Sequence, residues 1–279
     1  MFPGDLEYIL LRLIRRFVLK GRLIDSLGRF IPYYQPSIGE KSPAEIVDVY
    51  WKYCLSAGVN PQGKRILEIG TGRTNGTAYE ITARGGYCTA YDPSATLDTK
   101  KDEDVFQKIA ERHPNLVKGK GARIADLKDL PASSVDLVLS HSVLEHVMDM
   151  DGLLNELNRV IDSEGSMIHI VDYRDHFFKY PFHFMRFSGP IWYRFLNPGD
   201  LTRARIGDHL HLFRKHGFKV KVLERSMDLL SLSRMRDRIH PDFQNYTLED
   251  LATTRAVLFV ARDEEAPSCP IERDVEIRS

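Results

Sequence analysis

The chain has 279 residues, 43% of them apolar and 28% charged, enough to bury one substantial core in a single domain. Its 39 basic and 39 acidic side chains cancel, so no global field recruits nucleic acid, and no uncharged run of 18 apolar residues marks a membrane span. Cys54, Cys88 and Cys269 are odd in number and scattered without a CxxC pair, which argues against a disulfide framework or structural zinc and for a reduced, cytoplasmic setting.

Residues 6–20 carry a helical period, with Leu6, Ile9, Leu10, Leu13, Ile14 and Phe17 on one face and Arg12, Arg15 and Arg16 opposite. The apolar face is expected to cover the core or a partner subunit, as in a homodimer. The other reading of a basic amphipathic helix is a peripheral anchor at the inner face of an anionic membrane. Arginines interspersed with leucines lack the order of a secretory signal. Residues 28–43 hold turn formers and read as a connector, so 1–42 form an N-terminal extension. Ser42 then caps, and Pro43 opens, a helix over 44–56.

From residue 64 the elements alternate as in an α/β sheet. Strands are expected at 65–70, 87–92, 135–140 and 166–172, and helices at 75–84, 101–112 and 151–161. The runs VDLVLS and SMIHIVD are almost continuously apolar, as strands covered by helices on both faces are. A helix over 207–217 stops at Gly217 and leads to a strand at 218–223. Thr247 with Asp250 gives a capping-box-like start to a helix over 247–252, and a last strand falls at 256–261. The domain thus spans 43–262, and the polar tail 263–279, with two prolines, is expected to fray.

The most informative stretch is 65–92, RILEIGTGRTNGTAYEITARGGYCTAYD. An apolar strand ends in Glu68 and turns through Gly70, Thr71 and Gly72, where missing side chains let backbone approach a ligand at a strand-to-helix junction. Asp92 follows Gly72 by 20 residues, the spacing at which a carboxylate closing the second strand can accept ribose hydroxyls. Alone, this fits a dinucleotide or an adenosyl site.

Over about 66–261 the sequence resembles the class I S-adenosylmethionine-dependent methyltransferases, especially the type 11 small-molecule branch. Four motifs carry the resemblance in order: LEIGTG at 67–72, Asp92 in TAYDPS, Asp126 in GARIADLKDLP, and SVDLVLSHSVLEHV at 134–147. The resemblance implies a Rossmann-like, mostly parallel seven-stranded sheet with its last strand antiparallel, and S-adenosyl-L-methionine as cofactor. It also implies that Glu68, Gly70, Thr71 and Gly72 hold the methionine part, Asp92 with Pro93 the ribose, and Asp126 with Ala125 the adenine. Ser140 and His141 are implied to lie beside the sulfonium.

For a hydroxyl acceptor such an enzyme needs alignment and a base. His141 and His146 are candidates, because the fourth strand delivers its loop to the cofactor; each could instead only shape the pocket. In the LEH segment Glu145 reads as structural. Asp172 and His176, in VDYRDHF at the end of the fifth strand, are further candidates for a base or for acceptor binding, with capping the alternative for Asp172.

Residues 173–195 hold 10 of the 28 aromatics, interleaved with arginines and histidines, and 173–210 reads as an acceptor lid suited to sugar rings, flat acceptors or anionic groups. A packed mini-core or dimer contact is the other reading. His209 and His211, two apart on a predicted helix, do not share a face, so no metal site is expected. The insertion and the tail RIHPDF…YTLEDLA also look like methyltransferases of bacterial surface-polysaccharide or glycolipid assembly, which implies O-methylation of a sugar, glycolipid precursor or phenol-like small molecule. Two other functions fit the glycine turn: an NAD(P)-dependent oxidoreductase, against which stands the absence of a Tyr-x-x-x-Lys pair, and a non-catalytic cofactor-binding or partner subunit.

Overall fold

The computed structural model describes residues 3–18, 42–117, 123–176, 180–197 and 201–263. Seven strands, β1 (Arg65–Ile69), β2 (Tyr87–Tyr91), β3 (Arg123–Ile124), β4 (Val135–His141), β5 (Ile161–Asp172), β6 (Phe218–Met227) and β7 (Thr253–Arg262), form one sheet in the order β3-β2-β1-β4-β5-β7-β6. Pairings are parallel from β3 through β5, and β7 alone runs antiparallel, inserted between β5 and β6. Strand order reverses beside β1, so the crevice between the carboxyl ends of β1 and β4 is where a sheet of this kind takes a ligand.

Helices cover both faces. On one side α2 (Pro43–Ser56) and α3 (Gly76–Ala83) bury Val47, Tyr50, Ala78 and Ile81 against Ile66, Leu137 and Leu139. On the other, α5 (Met150–Val160) and α6 (Ile206–Lys215), which follow α4 (Thr99–Arg112) in the chain, pack Leu154, Leu157 and Phe213 against Leu67, Val138 and Met167. Side-chain alternation along each strand feeds the two layers. Ser42 caps α2 in a full capping box with Glu45, as the Ser-Pro start implies. Thr247 caps α8 (Leu248–Ala252), accepting the Asp250 amide at 3.0 Å.

Three expectations need correction. The helical pattern over 6–20 is realised as α1 (Pro3–Leu13) followed by a π-type turn, Ile14–Val18, and Ile9 and Leu13 of the expected apolar face pack on a core, but the rest of the facing differs. Tyr8 and Arg12 are fully buried, whereas Leu6, Leu10 and Phe17 are 61%, 54% and 58% exposed. Arg12 can be buried because it ion-pairs with buried Asp175 and stacks over Tyr8 and Trp192, at 5.3 and 5.2 Å from the ring centroids.

The second concerns 173–210. Tyr180, Phe182, Phe184, Met185, Trp192 and Leu196 form a separate buried core with Tyr8, α7 (Leu229–Ser233) and Phe243. Tyr180, Phe182, Phe184 and Trp192 therefore pack inward, whereas Tyr193 and Phe195 of the same segment stand exposed. The third is β3, too short for any periodicity to show; α7 was likewise unforeseen, and β5 starts five residues before the expected 166. Most of the connector, at 28–41, the end of the first helix at 19–20, and the tail from 264 lie outside the described residues, as do 177–179 and 198–200 of the aromatic segment.

Candidate active site

The β1 exit is a turn that excludes a side chain at position 70 and favours glycine at 72. Gly70 has φ +83° and donates its amide to Tyr91 O at 2.8 Å, and a Cβ there would stand 2.2 Å from Val143 Cγ2. Gly72 has φ +70° with open space where its Cβ would point. Positive φ costs other L residues about 1–2 kcal/mol, so the turn is paid for in sequence identity.

Asp92, closing β2, accepts the Gly72 amide on Oδ2 at 2.8 Å and the Ser94 and Ala95 amides on Oδ1 at 2.9 Å each. Its carboxylate shapes the turn, and with about four lone-pair sites it retains acceptor capacity toward the cavity it lines. Arg123, on β3, fastens the same loops from beneath: it donates to Thr71 Oγ1 at 3.0 Å, Gly72 O at 2.9 Å, Ala95 O at 2.6 Å and Asp92 O at 3.3 Å. Sequence reasoning missed Arg123. The only signal was a lone arginine three residues before Asp126.

Two cavities meet at this edge. The smaller, about 570 Å³, is lined by Gly70, Asp92, Pro93, Asp126, Val143 and His146, among others. The larger, about 810 Å³, takes Thr71, Gly72, His141, Asp172 and Arg174 along with Lys101 and Lys108 of α4. Ser142 lines both, at φ 55°, an uncommon conformation for a side-chain-bearing residue, and its amide donates to Ile170 O at 2.8 Å. Asp126 caps the turn Leu127–Asp129, and Ala125 beside it is exposed.

Two sequence-predicted cofactor residues point elsewhere. Glu68 is buried under the turn, lines neither cavity, and burial pushes its carboxyl up to about 8. Ser140 is fully buried and hydrogen-bonds His169 Nδ1 at 2.7 Å. Alternation along β4 carried the signal: Ser140 shares the side of Val138, whereas His141 falls on the side of Leu139 and reaches the larger cavity.

The candidate bases differ in their commitments. Asp172 accepts Arg174 Nε at 2.9 Å, its second guanidinium nitrogen at 2.6 Å and its amide at 3.0 Å, a two-pronged pairing that occupies both carboxyl oxygens. His146 and His176 face each other with ring centroids 4.8 Å apart, and burial, then the His146 charge, lower His176 to about 4. Glu145 is buried, receives the Asp172 amide at 3.3 Å, and is pushed by burial up to about 8, so it is a neutral carboxylic acid near pH 7. Its carbonyl accepts both the amide and the hydroxyl of Thr202 at 2.9 Å. Donor atoms of Glu145, His146 and His176 lie within 4.8 Å of one another. A tetrahedral ion with bonds of about 2.1 Å wants its ligands roughly 3.4 Å apart, so this trio holds a metal only after tightening.

Residues 67–169, from β1 through the larger part of β5, match a family model described as a methyltransferase domain. No curated protein matches the sequence. Haemonchus contortus phosphoethanolamine N-methyltransferase 2, solved with phosphomonomethylethanolamine and S-adenosylhomocysteine, is similar at TM-score 0.51 and 14% identity, over 90% of this chain and 60% of that one. The same protein with S-adenosyl-L-methionine gives a TM-score of 0.51 at 14% identity, over 90% and 59%. This chain therefore spans less than two thirds of the Haemonchus protein. An S-adenosylmethionine-dependent methyltransferase from Mesorhizobium loti is similar at TM-score 0.47 and 16% identity, over 78% of this chain and all of that one.

Proposed function

We propose that this chain, a class I S-adenosylmethionine-dependent methyltransferase, O-methylates a small molecule, a sugar or glycolipid precursor, with His141 as the base. The matched methyltransferase domain displaces the nicotinamide alternative. The observation that carries the proposal is the imidazole of His141 on the wall of the larger cavity, directly beside Ser142 where the two cavities join.

The glycine cradle and the Asp92 and Asp126 carboxylates on the smaller cavity fit an adenosyl group, with Asp92 toward the ribose and Asp126 toward the adenine. When bound, the cofactor supplies a methyl group already activated by its sulfonium. The chain's own work is alignment, exclusion of water and removal of one proton. Gly70, held by Tyr91 O, and Gly72, held by Asp92 and Arg123, shape the cradle. His141 takes the proton of the acceptor hydroxyl as the oxygen attacks. Lys101, Lys108 and Arg73 at the larger cavity suit an acceptor with an anionic group. Asp172, committed to Arg174, orients that cation, and the His146–His176 pair buttresses the loop from the cofactor side. The buried free thiols Cys54 and Cys88 favour a reducing, cytoplasmic setting.

The test is release of S-adenosylhomocysteine on a panel of sugars, sugar phosphates, phenols and amines. Turnover on a hydroxyl acceptor that falls in His141→Ala supports the reading; turnover confined to amines, the substrate chemistry named for the Haemonchus enzyme, removes it.

A further inference from the structure

The N-terminal helix packs Ile9, Leu11 and Leu13 on the core, yet it also buries one arginine and leaves two leucines in water. Arg12 sits fully buried against Asp175, while Leu6, Leu10 and Phe17, at the i, i+4 and i+11 positions of one stripe, stand more than half exposed, with Val18 beside them. This is the reverse of what water rewards.

The stripe continues onto the aromatic segment. Arg16 Nε donates to Arg194 O at 3.1 Å, and the same guanidinium reaches Asn197 O, so the end of the helix lies along residues 192–197. There Tyr193 and Phe195, with neighbouring Ile191, are 41–46% exposed. Arg194 lies over the Phe195 ring at 5.3 Å and Arg16 over Phe17 at 5.9 Å. The face thus alternates rings, aliphatic chains and guanidinium groups. Neither Arg16 nor Arg194 pairs with a carboxylate among the described residues, since the bonds Arg16 makes go to carbonyls.

We propose that this face, Leu6, Leu10, Phe17 and Val18 with Tyr193 and Phe195, docks on an anionic lipid surface. Charge decides the occupant. A second copy of the chain meeting this face in a two-fold dimer would set Arg16 and Arg194 near their own equivalents, whereas a layer of lipid phosphates complements them and accepts the apolar chains between. Among the described residues no helix is long and apolar enough to cross a membrane, so the contact is peripheral. Arg12 ties the docked helix to Asp175, one residue from His176, whose ring faces His146 on the wall of the smaller cavity.

Co-sedimentation of the full chain with vesicles of phosphatidylcholine alone, and with an equal part of phosphatidylglycerol, tests this. Capture by the mixed vesicles is expected, weakened about tenfold or more in Leu10→Ser/Phe17→Ser and also reduced in Arg194→Glu. Both variants change exposed side chains and should keep the wild-type melting temperature and S-adenosylhomocysteine affinity. Absence of wild-type capture, equal capture of the variants, or a dimer dissolved by Leu10→Ser/Phe17→Ser in place of vesicle binding would overturn the proposal.

Discussion

Asp92 accepts the Gly72 amide at 2.8 Å, so the carboxylate that closes the second strand also sets the turn that closes the first. Asp92→Ala should therefore weaken S-adenosylhomocysteine binding by more than a lost ribose contact, because three backbone amides lose their acceptor together. A stability loss of about 1–3 kcal/mol is expected alongside. Asp92→Asn, which keeps one acceptor oxygen, should fall between wild type and Asp92→Ala in both calorimetric affinity and melting temperature.

Gly70→Ala meets both a disfavoured φ and Val143 Cγ2 at 2.2 Å. Loss of cofactor binding is expected, and Gly70→Ala/Val143→Ala should restore part of the stability, leaving about 1–2 kcal/mol of backbone cost. A double mutant no more stable than Gly70→Ala would place the strain elsewhere.

Arg123→Met removes the guanidinium that fastens Thr71, Gly72 and Ala95. Cofactor affinity should fall about tenfold or more while the acceptor KM changes little, since Arg123 lines neither cavity. Steady-state kinetics with each substrate varied in turn separate the two.

Stability should fall as pH rises from about 6.5 to 8. Glu68 and Glu145 are both pushed by burial up to about 8, far above unfolded values near 4.3, so across this range the folded chain binds more protons than the unfolded one. Their contribution is complete below the unfolded value and is lost as pH climbs through about 8. His169, His176 and His209, lowered to about 3, 4 and 4 by burial, act in the opposite sense only below about 6.5. Melting temperatures across pH 6.5–8 should decline in wild type and decline less in Glu145→Gln; an identical slope would assign the loss to other groups.

Arg12→Ala leaves Asp175 buried without its cation and should cost about 3–5 kcal/mol. Arg12→Met/Asp175→Asn, which removes both charges and keeps an acceptor for the Tyr8 hydroxyl, should recover most of it in denaturant unfolding.

How much could be read in advance follows from what periodicity encodes. The β1 turn and Asp92 were legible because glycine at positive φ and a carboxylate at fixed spacing are local requirements. The facing of α1 was not, since period tells which side chains share a side, and Asp175 and Trp192, far along the chain, explain why Arg12 turns inward. Arg123 sits on a strand of two residues, too short to have a period. The aromatic enrichment after β5 was visible, but whether rings face a ligand or each other depends on α1 and α7, which close over them. Ser140 could have been placed by counting faces along β4 from Val138.

The most direct measurement is single-turnover transfer of labelled methyl from S-adenosyl-L-methionine to a hydroxyl acceptor, comparing wild type with His141→Ala at matched cofactor occupancy. A rate lowered about 10²–10⁴-fold with unchanged S-adenosylhomocysteine affinity is expected for the loss of a base at the cavity junction. An undiminished rate in His141→Ala would contradict it.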